Sequence, residues 1–270
     1  MIIWISSYPK SGNTWLRLFI INYLFPEQKN IFDNLAYIPE YPKKFFFEGF
    51  YTKEDFKVEQ VNLYKYFISS QNKINTNNQI NFLKTHSFAA TIDNYKFTNK
   101  ENTAGFVYIV RDPRSVVISY AFHSNKSYEK AAEIIMREKN VAIDNDKIIT
   151  LRTSWKMNYL SWIKSPYPRI LVKYEELIND PFTIFKKILE FINGYKKIDI
   201  SDKKILNTIE KCNFDNLKLE EEKKGFIEKM GRESFFRKGQ TDEWKNVLSK
   251  DLISKIEKEF GTEMKELGYL

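Results

Sequence analysis

The 270-residue sequence has one cysteine, Cys212, and two histidines, His86 and His123. A lone cysteine excludes an intrachain disulfide, and so few soft ligands leave little basis for a His/Cys metal site, so no metal is expected. No window reaches the roughly 18 uninterrupted apolar residues of a membrane span, so no transmembrane segment is expected. The N-terminal apolar run, Met1-Ile2-Ile3-Trp4-Ile5, is cut short by Ser6-Ser7 and lacks the basic n-region and cleavage site of a signal peptide. These absences point to a cytoplasmic protein. Repeats, linkers and low-complexity blocks are missing too, and residues 1–270 read as one domain.

Hydrophobic residues make up 43% of the chain and aromatics 16%, ample for a packed core. The net charge of +8 fits a polyanionic ligand. Lysines are nevertheless spread along the whole chain, so a solvated basic surface explains the charge equally well.

The apolar start runs into Ser6-Ser7-Tyr8-Pro9-Lys10-Ser11-Gly12-Asn13-Thr14-Trp15 and then Leu16 to Leu24. That order reads as a buried strand, a phosphate-sized loop and a helix whose free N-terminal N–H groups suit an anion. A Walker A loop, G-x-x-x-x-G-K-[ST], places its lysine after two glycines and uses the next hydroxyl on magnesium. Here the lysine precedes a single glycine, which argues for anion binding without magnesium triphosphate. A plain polar turn is the alternative.

Strand-like runs recur at Ile80 to Thr85, Gly105 to Val110 and Arg169 to Tyr174, separated by helical patterns. Helices are expected from Ser115 to Ala121, from Pro181 to Ile192 and from Leu248 to Leu267. The alternation predicts an α/β fold with a central parallel sheet flanked by helices. Phe32 to Asn78 and Ser124 to Lys147 fit it poorly and read as insertions that build pocket walls. Within the first, Phe45, Phe46, Phe47, Phe50, Tyr51 and Phe56 are open to two readings, an apolar acceptor wall or ordinary packing.

Ligands of open α/β sheets sit beyond the carboxyl ends of the strands. The first strand ends in the Lys10 loop, the second in Lys84-Thr85-His86, and the third in Arg111-Asp112-Pro113-Arg114-Ser115, so the three should meet in one crevice. His86, with an ordinary pKa of about 6.5, is a workable general base there. His123, on the helix after Arg111, reads as structural. Arg237-Lys238-Gly239 is a second candidate anion site, two cations followed by a glycine that admits close backbone approach.

Together these segments resemble the PAPS-dependent sulfotransferases. YPKSGNTW (8–15) resembles their 5'-phosphosulfate loop. FVYIVRDPRSVVISYAFH (106–123) resembles their 3'-phosphate motif, and FFRKGQTDEWKN (235–246) is similar to their RKGxxGDWKN signature. FLKTH (82–86) matches the strand that ends in the catalytic histidine, and RILVKYEELINDPFTIFKKILEFI (169–192) resembles a later strand and helix. The resemblance implies a P-loop-like nucleoside-phosphate-binding topology. It implies that Lys10 and the N–H groups of Ser11, Gly12, Asn13 and Thr14 grip the 5'-phosphosulfate, and that Trp15 and Phe214 stack on adenine. Arg111, Ser119, Arg237, Lys238 and Gly239 would hold the 3'-phosphate, Tyr174 would contact the nucleotide, His86 would deprotonate the acceptor, and Lys84 and Lys10 would face the sulfuryl group. The donor would be PAPS (3'-phosphoadenosine 5'-phosphosulfate) and the product PAP, with no metal required. The acceptor would be a hydroxyl or amine of a small molecule, lipid or glycan, with no nucleic-acid partner.

Two departures stand out. Asp242 and Glu243 replace the signature's second glycine and aspartate and add negative charge near a phosphate site. Cys212-Asn213-Phe214 stands where a small hydroxyl residue usually precedes the phenylalanine. The alternatives are a P-loop kinase of a small metabolite, for which Asp112 is the only candidate magnesium ligand at a strand end, and a non-catalytic basic nucleotide- or nucleic-acid-binding module.

Overall fold

The computed structural model describes residues 1–26, 30–52, 54, 63–229 and 234–270. Phe56 lies outside them. Strands β1 (Ile2–Ser7), β2 (Asn81–Thr85), β3 (Thr91–Ile92), β4 (Tyr95–Lys96), β5 (Thr103–Val110), β6 (Val141–Ile143), β7 (Ile149–Leu151) and β8 (Arg169–Lys173) follow in chain order. Four of them make a parallel sheet in the order β2-β1-β5-β8; β3 pairs with β4 and β6 with β7 as small antiparallel ribbons.

Every residue of β1 and β5 is buried. Their side chains alternate between two cores, which is why both read as continuous apolar runs. Ile2, Trp4, Phe106 and Tyr108 face one core; Ile3, Ile5, Val107 and Ile109 face the other. The first is covered by α3 (Pro113–Ser124), α5 (Trp155–Ile163) and α11 (Lys250–Glu266), the second by α1 (Asn13–Leu24), α7 (Pro181–Asn193) and α8 (Asp202–Lys211). The remaining helices are α2 (Phe67–Ile74), α4 (Tyr128–Met136), α6 (Tyr174–Asn179), α9 (Phe214–Lys224) and α10 (Trp244–Val247).

Helix starts follow local chemistry. Asp112 accepts from the Arg114 N–H with Pro113 in the first turn of α3, and Asp180 accepts from the Thr183 N–H with Pro181 in the first turn of α7. The stretch 124–147, expected as an insertion, contains α4, β6 and the turn toward β7. Ser127 caps α4, which buries Ala131, Ala132 and Ile135 at helical spacing beneath a polar face. The aromatic run packs mainly inward: Phe47 is fully buried against Tyr41 and Phe67, and Phe46 and Tyr51 lie against the same core. Phe45 is exposed. Core packing therefore explains Phe46, Phe47 and Tyr51.

Candidate active site

Sheet register brings the chemistry together. Ser6 pairs with Thr85, so His86 follows opposite Ser7; Val110 pairs with Lys173, so Arg111 follows opposite Tyr174. The Arg111 guanidinium lies 4.3 Å from the centre of the Tyr174 ring and donates to the carbonyls of Lys10 and Gln240. One side chain thus joins the loop after β1 to the segment around residue 240.

The loop after β1 is shaped for close backbone approach. Gly12 is left-handed at φ 97°, and a Cβ there would stand 2.4 Å from Cδ2 of Tyr174, so only glycine fits. No side chain caps α1. Ser11 Oγ is buried with no hydrogen-bond partner. Asn13 turns its amide back onto Ile5 O and Ser7 Oγ, which leaves its backbone N–H as its means of meeting a ligand. Trp15 donates to Cys212 O, tying α1 to the turn that precedes Phe214. The Lys10 ammonium sits 4.1 Å from the centre of the Phe235 ring. Burial first, then repulsion from Arg111 and Lys84, depresses its pKa to about 7 against opposition from Glu228.

His86 Nδ1 is 2.9 Å from the carbonyl oxygen of Ser7. A carbonyl only accepts, so Nδ1 carries the hydrogen and the neutral ring presents its lone pair at Nε2. Burial and the neighbouring Lys84 push the imidazole below its ordinary pKa, while Glu40 pulls the other way. Lys84 Nζ lies 3.3 Å from Glu40 and 3.8 Å from Glu228. Burial would raise Glu40, but Lys84, His86 and Lys43 hold it down to about 2. Glu228 also accepts from Thr14 Oγ1 at 2.8 Å and from Arg17 at 2.7 Å. Burial opposes its ionisation as well, yet Lys84 and Arg17 keep it well below the usual carboxylate range.

A cleft of about 80 Å³ opens beside this loop, and Arg111, Ser119, Tyr174, Phe214, Arg237, Lys238 and Gly239 all line it. Gly239 is left-handed, and a Cβ there would stand 2.9 Å from the Phe214 ring. Buried Glu221 accepts from the N–H groups of Phe235 and Phe236 and so fixes the backbone entering Arg237. Glu243, one of the two residues that depart from the expected signature, bridges Arg237 and Lys238. Those bonds, Arg237's first, hold its carboxyl down to about 2.

Several neighbours of the site had no motif to mark them: Glu40, Arg17, Arg152 and Glu228. His123, expected to be structural, stands edge-on to Phe235, and burial, Lys10 and Arg152 depress its pKa to about 4. It therefore borders the same cluster of charges.

Residues 2–268 match the model of the sulfotransferase domain. The chain belongs to the sulfotransferase family. Cytosolic sulfotransferase 10 of Arabidopsis thaliana is 22% identical over 94% of this chain and 75% of its own length. Flavonol 3-sulfotransferase of Flaveria bidentis is 25% identical over 95% and 79%. The structure of a mouse sulfotransferase complexed with PAP superposes with a TM-score of 0.61 at 18% identity, covering 97% of this chain and 84% of that one, which shows the shared fold. A sulfotransferase catalyses sulfuryl transfer, and the kinase alternative falls away. Asp112, its one candidate magnesium ligand, is already committed to the α3 cap and to an ion pair with Arg114 at 2.6 Å.

Proposed function

We propose that this sulfotransferase carries a sulfuryl group from PAPS to a hydroxyl or amine of a small-molecule, lipid or glycan acceptor, with His86 as the general base. The observation that carries the reading is the cleft where Arg111, Ser119, Tyr174, Phe214 and Arg237 to Gly239 gather from four distant segments, beside the Lys10 loop. These residues fit a nucleoside with phosphates at two positions. The unpartnered Ser11 Oγ and Arg111 Nε, the uncapped α1, and two left-handed glycines each packed against a ring are what close approach to such a ligand requires.

PAPS, when bound, supplies an electrophilic sulfuryl group attached to a phosphate that departs. Lys10, with the N–H groups from Ser11 to Thr14, offers positive charge where negative charge grows on the departing 5'-phosphate. Arg111, Ser119, Arg237, Lys238 and Gly239 hold the 3'-phosphate, Trp15 and Phe214 flank the adenine, and Tyr174 meets the nucleotide. His86 takes the acceptor's proton at Nε2 while its Nδ1 hydrogen stays on Ser7 O. Its depressed pKa keeps it neutral and ready at pH 7, and Glu40 stabilises the imidazolium once the proton arrives. Lys84 faces the sulfuryl group. The same reading takes 1–270 as one domain and the cytoplasm as its location, which the name of the Arabidopsis relative supports.

Transfer of label from labelled PAPS into an acceptor library, with mass spectrometry of the products, tests the function. A labelled O- or N-sulfate supports it, and label appearing only as inorganic sulfate contradicts it.

Lys10 gives the binding step a pH dependence. Below pH 7 the ammonium is already charged; above it the free site loses the proton, and an anion must bring one back. PAP affinity should therefore weaken from about pH 7 upward, approaching tenfold per pH unit, with uptake of about one proton at pH 8.5. Calorimetry in two buffers of different ionisation enthalpy measures both quantities. A flat affinity with no proton uptake would contradict the assignment of Lys10 to the 5'-phosphate.

A further inference from the structure

Arg152 is not among the residues that line the donor cleft, and its backbone is held beside His86 by several fixed points. The Asn158 side chain donates both to His86 O at 3.0 Å and to Arg152 O at 2.9 Å, so one amide sets the two backbones relative to each other. Asn158 is itself oriented by the Tyr108 hydroxyl. The Phe88 N–H donates to Leu151 O, and the N–H groups of Arg152 and Thr153 both donate to Asn140 O, whose side chain donates to the Tyr8 hydroxyl. Thr153 is left-handed at φ 59°, a costly conformation for a β-branched residue, and it turns the chain just after Arg152.

The guanidinium so positioned has no carboxylate and no carbonyl partner among the described residues, and its Nε–H is buried without an acceptor. Of the other cations of the site, Lys10 stands over the Phe235 ring and the rest are paired or bonded. Lys84 is paired with Glu40 and Glu228, Arg17 with Glu228, and Lys43 with Asp144. Arg111 donates to two carbonyls. The donor cleft is lined from the segments after β5 and β8, from α3 and α9 and from the C-terminal segment, without Arg152, whose backbone is tied to His86 after β2. Its charge nevertheless reaches His86 and His123. A guanidinium in that position recognises an oxyanion by charge-assisted hydrogen bonds.

We propose that Arg152 is an acceptor-specificity residue that binds an oxyanion carried by the acceptor, next to the hydroxyl or amine that His86 deprotonates. The proposal rests on the donor and acceptor sides assigned above. It selects acceptors bearing a carboxylate, phosphate or sulfate over neutral ones.

The test is titration of PAP-saturated protein with acetate, phosphate, sulfate and, as the neutral control, methanol, followed by NMR of the Arg152 Nε–H and the His86 ring. At least one anion should shift both signals saturably, and methanol neither. Arg152→Gln should weaken that anion at least about tenfold, as loss of a charged hydrogen-bonding partner does, with PAP affinity unchanged. Arg152→Lys should recover part of the binding, which a merely structural arginine would not explain. The anion bound most tightly identifies which oxyanion the acceptor carries. No saturable shift in the wild type, equal anion affinity in Arg152→Gln, or weakened PAP binding in that variant overturns the proposal. Failure of PAP to bind the wild type contradicts the donor assignment instead, and the same titration without PAP then reads Arg152 alone.

Discussion

Replacing His86 by alanine will lower sulfuryl transfer by about 10²- to 10⁴-fold and leave PAP affinity essentially unchanged. The size follows from what the ring does. A positioned base removes the acceptor's proton as the new bond to sulfur forms, and alanine leaves that proton to solvent. The selectivity follows from geometry, because His86 sits at the end of β2, hydrogen-bonded to Ser7 O, while the donor cleft is lined by other residues. Single-turnover kinetics with a cognate acceptor, paired with PAP calorimetry, separates the two effects. Full turnover by the alanine variant would remove His86 from the chemistry, and lost PAP binding would mark it as a structural support for the Lys10 loop.

Arg237→Ala will weaken PAP by about tenfold to a hundredfold, the usual loss when a charged hydrogen-bonding partner of an anion is removed. Lys238→Ala will have the smaller effect, since its ammonium is about half exposed and screened by water. Glu243 supplies a control of opposite sign. Its carboxylate bridges both cations and competes with any phosphate they hold, so Glu243→Gln should tighten PAP. Unchanged affinity in the Arg237 variant would remove that residue from the 3'-phosphate site.

Strands β1 and β5 were legible because burial on both faces writes itself as uninterrupted apolar sequence, as in Ile2 to Ile5 and Phe106 to Val110. The crevice was legible for a related reason: Lys10, His86 and Arg111 each lie within three residues of the end of a strand, and parallel strands end on the same side. What escaped notice depends on pairing across long sequence distances. Glu228 is unremarkable within Gly225-Phe226-Ile227-Glu228 until the fold brings it to Thr14 and Arg17. Glu40 reaches the site through an isolated bridge and an ion pair to Lys84. His123 was read from its helix alone, and its surroundings come from Phe235, more than a hundred residues later. Helix α4 was hidden by composition, since Glu129, Lys130 and Glu133 are interleaved with the three residues that it buries.

The central claim is that one cleft grips the nucleotide at two separate phosphates, and the 3'-phosphate tests it most directly. Titrating wild-type protein in EDTA with PAP and with AMP, which lacks the 3'-phosphate, should show PAP bound about a hundredfold more tightly, with the gap narrowing sharply in Arg237→Ala. Equal affinity for AMP and PAP, or a nucleotide bound only as its magnesium complex, would contradict the account.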